Sequence, residues 1–213
     1  MIDLYIADWR TLGMEAAFFD NLPLLPEQER TKVMRFVRME DRVRCLTGLL
    51  LRRMAAKRHT DLAAPEFAET DYGKPYVKDG GDFRFNVSHS GDLVVCACGS
   101  CEIGVDVEQV VPVDLEEYRR IFSESEQKQM EEAEDPIAVF YYLWTVREAF
   151  VKKEGIGIPL FDKGGEFCYD GKVAAYDGRT GYVYSFCHGD YRISLCSDRD
   201  EEIQVTYEES LQI

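Results

Sequence analysis

Two long helical patterns, each followed by short alternating runs, dominate this chain. From Glu27 to His59 the apolar residues recur at helical spacing. Val33, Phe36 and Val37 form one stripe, and Val43, Leu46, Leu49, Leu50 and Met54 form a second, with the Met39–Asp41 step dividing two helices. A further helix is expected from Asp135-Pro136, a cap residue followed by proline at the first helical position. It runs to about Glu154, where Gly155 and Gly157 stop it, with Pro159 beyond. Leu115–Phe122 predicts a short helix, and Ser123-Glu124-Ser125-Glu126 has the spacing of a capping box opening another. Residues 1–8 alternate as a first strand. Leu93–Cys98 and Glu102–Glu108 read as a hairpin around Gly99-Ser100. Residues 165–208 hold four more runs (GGEFCYD, YVYSFCH, YRISLCS, IQVTYEE) that read as antiparallel strands. A basic or mixed helix followed by several strands thus occurs twice, with no Gly/Ser-rich linker between. The expectation is an α+β fold of two similar halves, joined near residues 99–112.

The chain has 213 residues, 46% of them hydrophobic, enough for a sizeable core. No run of about 18 apolar residues exists, so no membrane span is expected. Asp3 and Asp8 fall where a signal peptide needs a basic start and an apolar run, which points to a cytoplasmic chain. Seven cysteines, an odd number, fit reduced thiols. Cys96, Cys98 and Cys101 read as small buried side chains on a strand, because zinc would need a second knuckle that the sequence lacks. The net charge is −15 and is unevenly spread. Between Arg30 and Arg58 lie ten basic residues against only Glu40 and Asp41, while residues 101–213 carry a net −14. A chain this acidic repels nucleic acid as a whole. The local basic stretch suits a small phosphorylated ligand, unless it is only a solvated helix face.

Four stretches can carry chemistry. In Gly104-Val105-Asp106-Val107-Glu108, strand alternation turns Ile103, Val105 and Val107 to a core and Asp106 and Glu108 to the opposite face. Adjacent carboxylates with no nearby His or Cys suit a hard cation such as Mg²⁺ or Mn²⁺; the bland reading is a solvated strand face. In Trp144-Thr145-Val146-Arg147-Glu148-Ala149-Phe150-Val151-Lys152, Trp144, Glu148 and Lys152 share a helix face. They form either a surface ion pair or a third metal ligand or base beside a phosphate-binding lysine. Asn86-Val87-Ser88-His89-Ser90-Gly91 reads as a turn whose hydroxyls, imidazole and N–H groups would suit phosphate oxygens. No hydrolase elbow accompanies it. Tyr72-Gly73-Lys74-Pro75 is a turn that would present Lys74 to an anion.

The order and spacing of these four stretches, with the helix RTKVMRFVRMEDRVRCLTGLLLRR at residues 30–53, resembles the 4′-phosphopantetheinyl transferases of the surfactin synthetase-activating (Sfp) type. The resemblance spans residues 25–160. It implies the phosphopantetheinyl transferase fold, two α+β halves in pseudo-twofold relation (residues 1–102 and 103–213) with coenzyme A in the cleft between them. It implies transfer of the 4′-phosphopantetheine group from coenzyme A to a serine of an apo acyl or peptidyl carrier protein, with release of adenosine 3′,5′-bisphosphate. By motif matching, Asp106, Glu108 and Glu148 hold Mg²⁺, or Mn²⁺ in its place. Glu148 is the base and Lys152 neutralises the pyrophosphate. Ser88 and His89 bind phosphate, with Lys32, Arg44 and Lys74 toward the 3′-phosphate end. One chain supplies both halves, so a monomer is expected. The sequence departs from the pattern at Glu29 and Met39, where relatives often carry basic residues, and at Arg147, where lysine is frequent. Two other readings stay open: a different Mg²⁺-dependent phosphoryl or phosphodiester enzyme, and a coenzyme A-binding module without activity.

Overall fold

The computed structural model describes residues 1–156 and 167–211. Gly157 and Pro159, expected beyond the end of the last helix, lie outside them. β1 (Ile2–Asp8) opens the chain, and after the single turn α1 (Phe18–Asn21) come α2 (Glu27–Met34) and α3 (Met39–His59). The break between the two long helices falls at Arg35–Arg38, ahead of the expected step. Val33 is therefore buried, but Phe36 and Val37 leave the helical phase and Val37 is 91% exposed, which corrects the first predicted stripe. The second stripe, Val43 to Met54, is buried throughout.

β2 (Phe67–Glu69) and β3 (Pro75–Val77) pair as a small hairpin. Then follow β4 (Arg84–Ser90), β5 (Leu93–Gly99) and β6 (Ile103–Gln109). The Asn86–Ser90 stretch is strand, not turn, because its backbone pairs with β5; the turn is left to Gly91, at φ 53°. α4 (Leu115–Tyr118), α5 (Glu124–Glu131) and α6 (Pro136–Glu154) lead to β7 (Cys168–Tyr169), β8 (Val173–Tyr176), β9 (Arg179–His188), β10 (Tyr191–Ser197) and β11 (Ile203–Tyr207). The predicted capping box on α5 forms in both directions between Ser123 and Glu126. Asp135 caps α6 through the Ala138 N–H, and Gly155 ends it in the left-handed conformation that glycine adopts without strain.

Sheet one has the order β11-β1-β5-β4, and sheet two the order β6-β10-β9-β8-β7. β5 and β6 do not form the expected hairpin. Both edges of β5 are taken, by β1 and β4, so the chain crosses after Gly99 and β6 pairs with β10 in the other sheet. The IQVTYEE run is also not antiparallel: β11 lies parallel to β1 and joins sheet one.

The sheets stack face to face with a helix outside each. Tyr5, Phe85, Cys96 and Cys98 meet Val43, Leu46 and Leu50 of α3. Ile2, Leu4, Leu93 and Val95 meet Ile103, Val105, Val107 and Ile193 between the sheets. Val146, Ala149 and Phe150 of α6 cover Ala174, Tyr176 and Cys196 on the far side. A strand covered on both faces is apolar throughout, which is why Leu93–Cys98 is buried at every position. All seven cysteines are unpaired, and burial pushes the Cys96 thiol up to about 12, so it is inert.

Much of the basic stretch is consumed inside the fold. Arg52 and Arg53 each reach Glu29 at 2.7 Å, and all three side chains are largely buried. Arg58 pairs with Glu208 beyond β11. Glu29 thus neutralises two arginines of α3. Glu29→Ala leaves both guanidinium groups without their carboxylate and is expected to destabilise by about 2 kcal/mol, readable as a lower urea midpoint. An unchanged midpoint would show that water satisfies both arginines.

Candidate active site

The site begins with how closely α6 lies on β6. A Cβ at Gly104 would stand 2.9 Å from the Lys152 carbonyl carbon, and nearer still to the Ala149 carbonyl oxygen and the Lys153 nitrogen. Only glycine permits that approach. Farther along α6, the Thr145 and Ser194 hydroxyls share a hydrogen bond of 2.7 Å, and Ser194 donates to Ser185 at 2.8 Å. These contacts set the helix's rotation. From Leu143 to Lys153 the only half-exposed residues are Trp144, Glu148 and Lys152, the stripe the sequence placed on one face. The structure brings that stripe to the side of β6 that carries Asp106 and Glu108.

β4 and β6 are facing edges of the two sheets and share no backbone ladder. Side chains join them instead. Asn86 Oδ1 accepts the Val105 N–H at 3.1 Å, Ser88 Oγ the Val107 N–H at 3.4 Å, and Ser90 Oγ the Gln109 N–H at 3.1 Å. Ser88 Oγ also donates to Asp106 Oδ1 at 2.9 Å and accepts from Lys152 Nζ at 2.9 Å. A hydroxyl has one donor and two acceptor sites, so the hydrogen-bonding capacity of Ser88 is filled. Lys152 Nζ reaches Asp106 Oδ1 at 2.6 Å. Asp106 is 3% exposed, and its other oxygen, Oδ2, is buried with no hydrogen-bond partner.

The three carboxylates feel one another. Burial first, then the charge of Asp106, and with it Glu108, pushes the Glu148 carboxyl up to about 7, against the partial relief of Lys152. Glu108 is raised for the same reasons, burial and then Asp106, offset by the Ser90 hydroxyl, Lys152 and the Trp144 indole. Ser90 Oγ donates to Glu108 Oε2 at 2.8 Å. Among the described residues no three His, Cys, Asp or Glu side chains stand gathered as a finished metal cage. What exists is a lysine-held aspartate with one orphaned oxygen and two acids reluctant to ionise. An added cation relieves each of these conditions, so the donor set, all carboxylate oxygen, fits a hard divalent ion.

Basic side chains flank this group. His89 keeps an open edge at the seam, but the crowding around its ring, then the charges of Arg44 and Lys152, lowers its pKa, so it stands there as a neutral imidazole. Arg44 pairs with Asp41 at 2.9 Å and Lys32 with Glu69 at 3.3 Å. These pairs are partly exposed and therefore weak. Lys74 stands apart, bonded to Glu102 at 2.6 Å and to the Lys153 carbonyl at the end of α6. Clefts of about 460 and 490 Å³ meet at Thr70, Lys74 and Glu102, and neither is lined by Asp106 or Glu148. Arg147 points away from the site, to Glu126 of the capping box and the ring of Phe122. The sequence reading took Asn86 and Ser90 only as part of a phosphate-binding turn and missed that they bond β6, although their period-two spacing with Ser88 was visible.

Residues 7–101 match the family model described as 4′-phosphopantetheinyl transferase, N-terminal, and residues 102–196 that of the 4′-phosphopantetheinyl transferase superfamily. The chain is 33% identical to 4′-phosphopantetheinyl transferase Sfp of Bacillus subtilis strain 168, over 89% of this chain and 91% of that protein. It is 39% identical to another Bacillus subtilis 4′-phosphopantetheinyl transferase over 62% of this chain and 61% of that protein. It is 37% identical to 4′-phosphopantetheinyl transferase psf-1 of Bacillus pumilus, over 64% and 60%. With two family models meeting at the crossing between β5 and β6, and a relative aligned along nearly its whole length, the chain belongs to the 4′-phosphopantetheinyl transferases of the Sfp type and is an enzyme of that class.

Proposed function

We propose that this enzyme moves the 4′-phosphopantetheine group of coenzyme A onto a serine of an apo acyl or peptidyl carrier protein and releases adenosine 3′,5′-bisphosphate. The observation that carries this reading is Asp106. It is buried in the seam, gripped on one oxygen by Lys152, unpartnered on the other, and within electrostatic reach of Glu108 and Glu148. Asp106, Glu108 and Glu148 would hold Mg²⁺, which when bound would neutralise pyrophosphate charge. The remaining steps fall to this chain's own groups. Lys152 meets the charge that grows on the leaving phosphate. His89 and Arg44 beside the seam, and Lys32, which reaches from α2 to Glu69 of β2, would meet an anionic end of coenzyme A, and Lys74 would join them on exchanging its bonds to Glu102 and the Lys153 carbonyl. The carrier serine's Oγ forms a bond to the β-phosphorus while the bridging oxygen departs with the adenosine bisphosphate. The Oγ proton passes to the Glu148 carboxylate, which a bound cation would keep ionised and ready to accept it. Such transfer needs alignment and charge neutralisation more than covalent catalysis.

The test is incubation with coenzyme A, Mg²⁺ and apo carrier proteins of several types, read by intact mass. The expected result is a gain of one phosphopantetheine on the carrier, abolished by EDTA. Hydrolysis of coenzyme A without a carrier adduct would favour a different phosphodiester enzyme. Tight binding without turnover would favour a coenzyme A-binding module. No helix among the described residues is long and apolar enough to cross a membrane.

A further inference from the structure

We infer that Ser90 is a positioning residue for the reaction, the last rung of a side-chain ladder through which β4 holds Glu108 in place. The inference rests on the function proposed above for the carboxylate it touches.

In a strand, successive N–H groups point to opposite sides. β6 is an edge strand, and β10 takes only one of its sides. The other side, with the N–H groups of Val105, Val107 and Gln109, would be left without partners in the seam, two of them buried. β4 lies opposite but offers no backbone ladder. It offers Asn86, Ser88 and Ser90, two residues apart and so on one face, and each accepts one of those three N–H groups. The rungs alternate with the acids: Ser88 bonds Asp106 and Ser90 bonds Glu108.

Ser90 therefore does two things with one oxygen. It receives the Gln109 N–H at 3.1 Å, fixing the end of β6, and gives its proton to Glu108 Oε2 at 2.8 Å, fixing the carboxylate. That bond is made to the charged form, and such outer hydrogen bonds orient carboxylate ligands. Ser90 thus holds one Glu108 oxygen, and the Trp144 indole adds a second hydrogen bond to the same carboxylate.

Ser90 is half-buried at the strand end beside Gly91, so removing its hydroxyl leaves the cores untouched. The experiment compares wild type, Ser90→Ala and Ser90→Thr by three measurements. Amide hydrogen exchange at Gln109 is expected to quicken about 5- to 10-fold in Ser90→Ala, the loss of one hydrogen bond. Binding of Mn²⁺ alone, followed by electron paramagnetic resonance without coenzyme A, is expected to weaken about 10-fold or more. Turnover should lower kcat with KM for coenzyme A nearly unchanged. Ser90→Thr, which keeps the hydroxyl, should restore all three. The inference is overturned if Ser90→Ala leaves Mn²⁺ binding and Gln109 exchange as in wild type. It is equally overturned if only KM rises, because Ser90 would then be a substrate contact. If wild type transferred nothing to any carrier, the proposed function would fail, and exchange with Mn²⁺ binding would still decide the ladder.

Discussion

Replacing Gly104 with alanine is expected to destabilise the protein by about 3 kcal/mol or more, at or beyond the upper end of ordinary overpacking because the atoms it meets cannot yield. The added methyl would meet the backbone of α6 at Ala149, Lys152 and Lys153, not the far end of a flexible side chain. Helix and strand must therefore separate. For a chain of this size that corresponds to a fall in Tm of roughly 10 °C. The damage is not confined to stability. Asp106 lies two residues from Gly104 on the same strand face, and Lys152 lies on the displaced turn of α6, so the 2.6 Å pair between them opens and transfer fails even where the protein stays folded. Gly99→Ala is the control: its nearest neighbour is at 3.3 Å, and a change below about 1 kcal/mol is expected. A Gly104→Ala protein as stable and as active as wild type would mean that α6 does not rest on β6 as described.

Glu148→Gln is expected to lower transfer about 10²- to 10⁴-fold, the span over which a general base contributes, and yet to stabilise the metal-free protein above neutral pH. Both outcomes come from one environment. The Glu148 carboxyl is raised from 4.5 to about 7 by burial and by Asp106, so the folded state holds its proton more tightly than the unfolded chain does. Stability is then fully present below about pH 4.5 and is lost as pH rises through about 7. Glu108 is raised as well and adds to the same trend. Glutamine has no charge to develop. At pH 8, without divalent cation, Glu148→Gln should be more stable by about 1–2 kcal/mol, allowing for partial solvent access, or a Tm higher by roughly 4 °C. At pH 4 the two proteins should melt together. An active site that sacrifices stability for function predicts this pairing. Thermal melts at the two pH values with EDTA, beside the carrier assay, decide it. A variant that keeps transfer, or melts lower at pH 8, would remove Glu148 from the proposed role.

How far these features were legible differs from residue to residue. The alternation of Ile103, Val105 and Val107 against Asp106 and Glu108 was readable and is present, because two-residue periodicity is a property of the extended backbone itself. So was the stripe Trp144, Glu148 and Lys152, and the stripe Val43 to Met54. The hairpin expected at Gly99-Ser100 failed, since a short glycine link says nothing about whether the strand before it has a free edge. The turn expected at Asn86–Gly91 failed because turn-forming residues here are spaced for a strand whose side chains bond a neighbour. The basic stretch overstated the free charge, since Glu29 and Glu208 neutralise Arg52, Arg53 and Arg58 across 23 to 150 positions of sequence.

The order of residues alone settled which side chains share a face in β6, α3 and α6, where α5 and α6 are capped, and which motifs follow one another, because these depend on neighbours within a few positions. Only the folded chain decided which strand edges meet, which charges are cancelled internally, and that Ser88 and Ser90 face Asp106 and Glu108 across a seam. Those partnerships join residues far apart along the chain, and local periodicity carries no information about them.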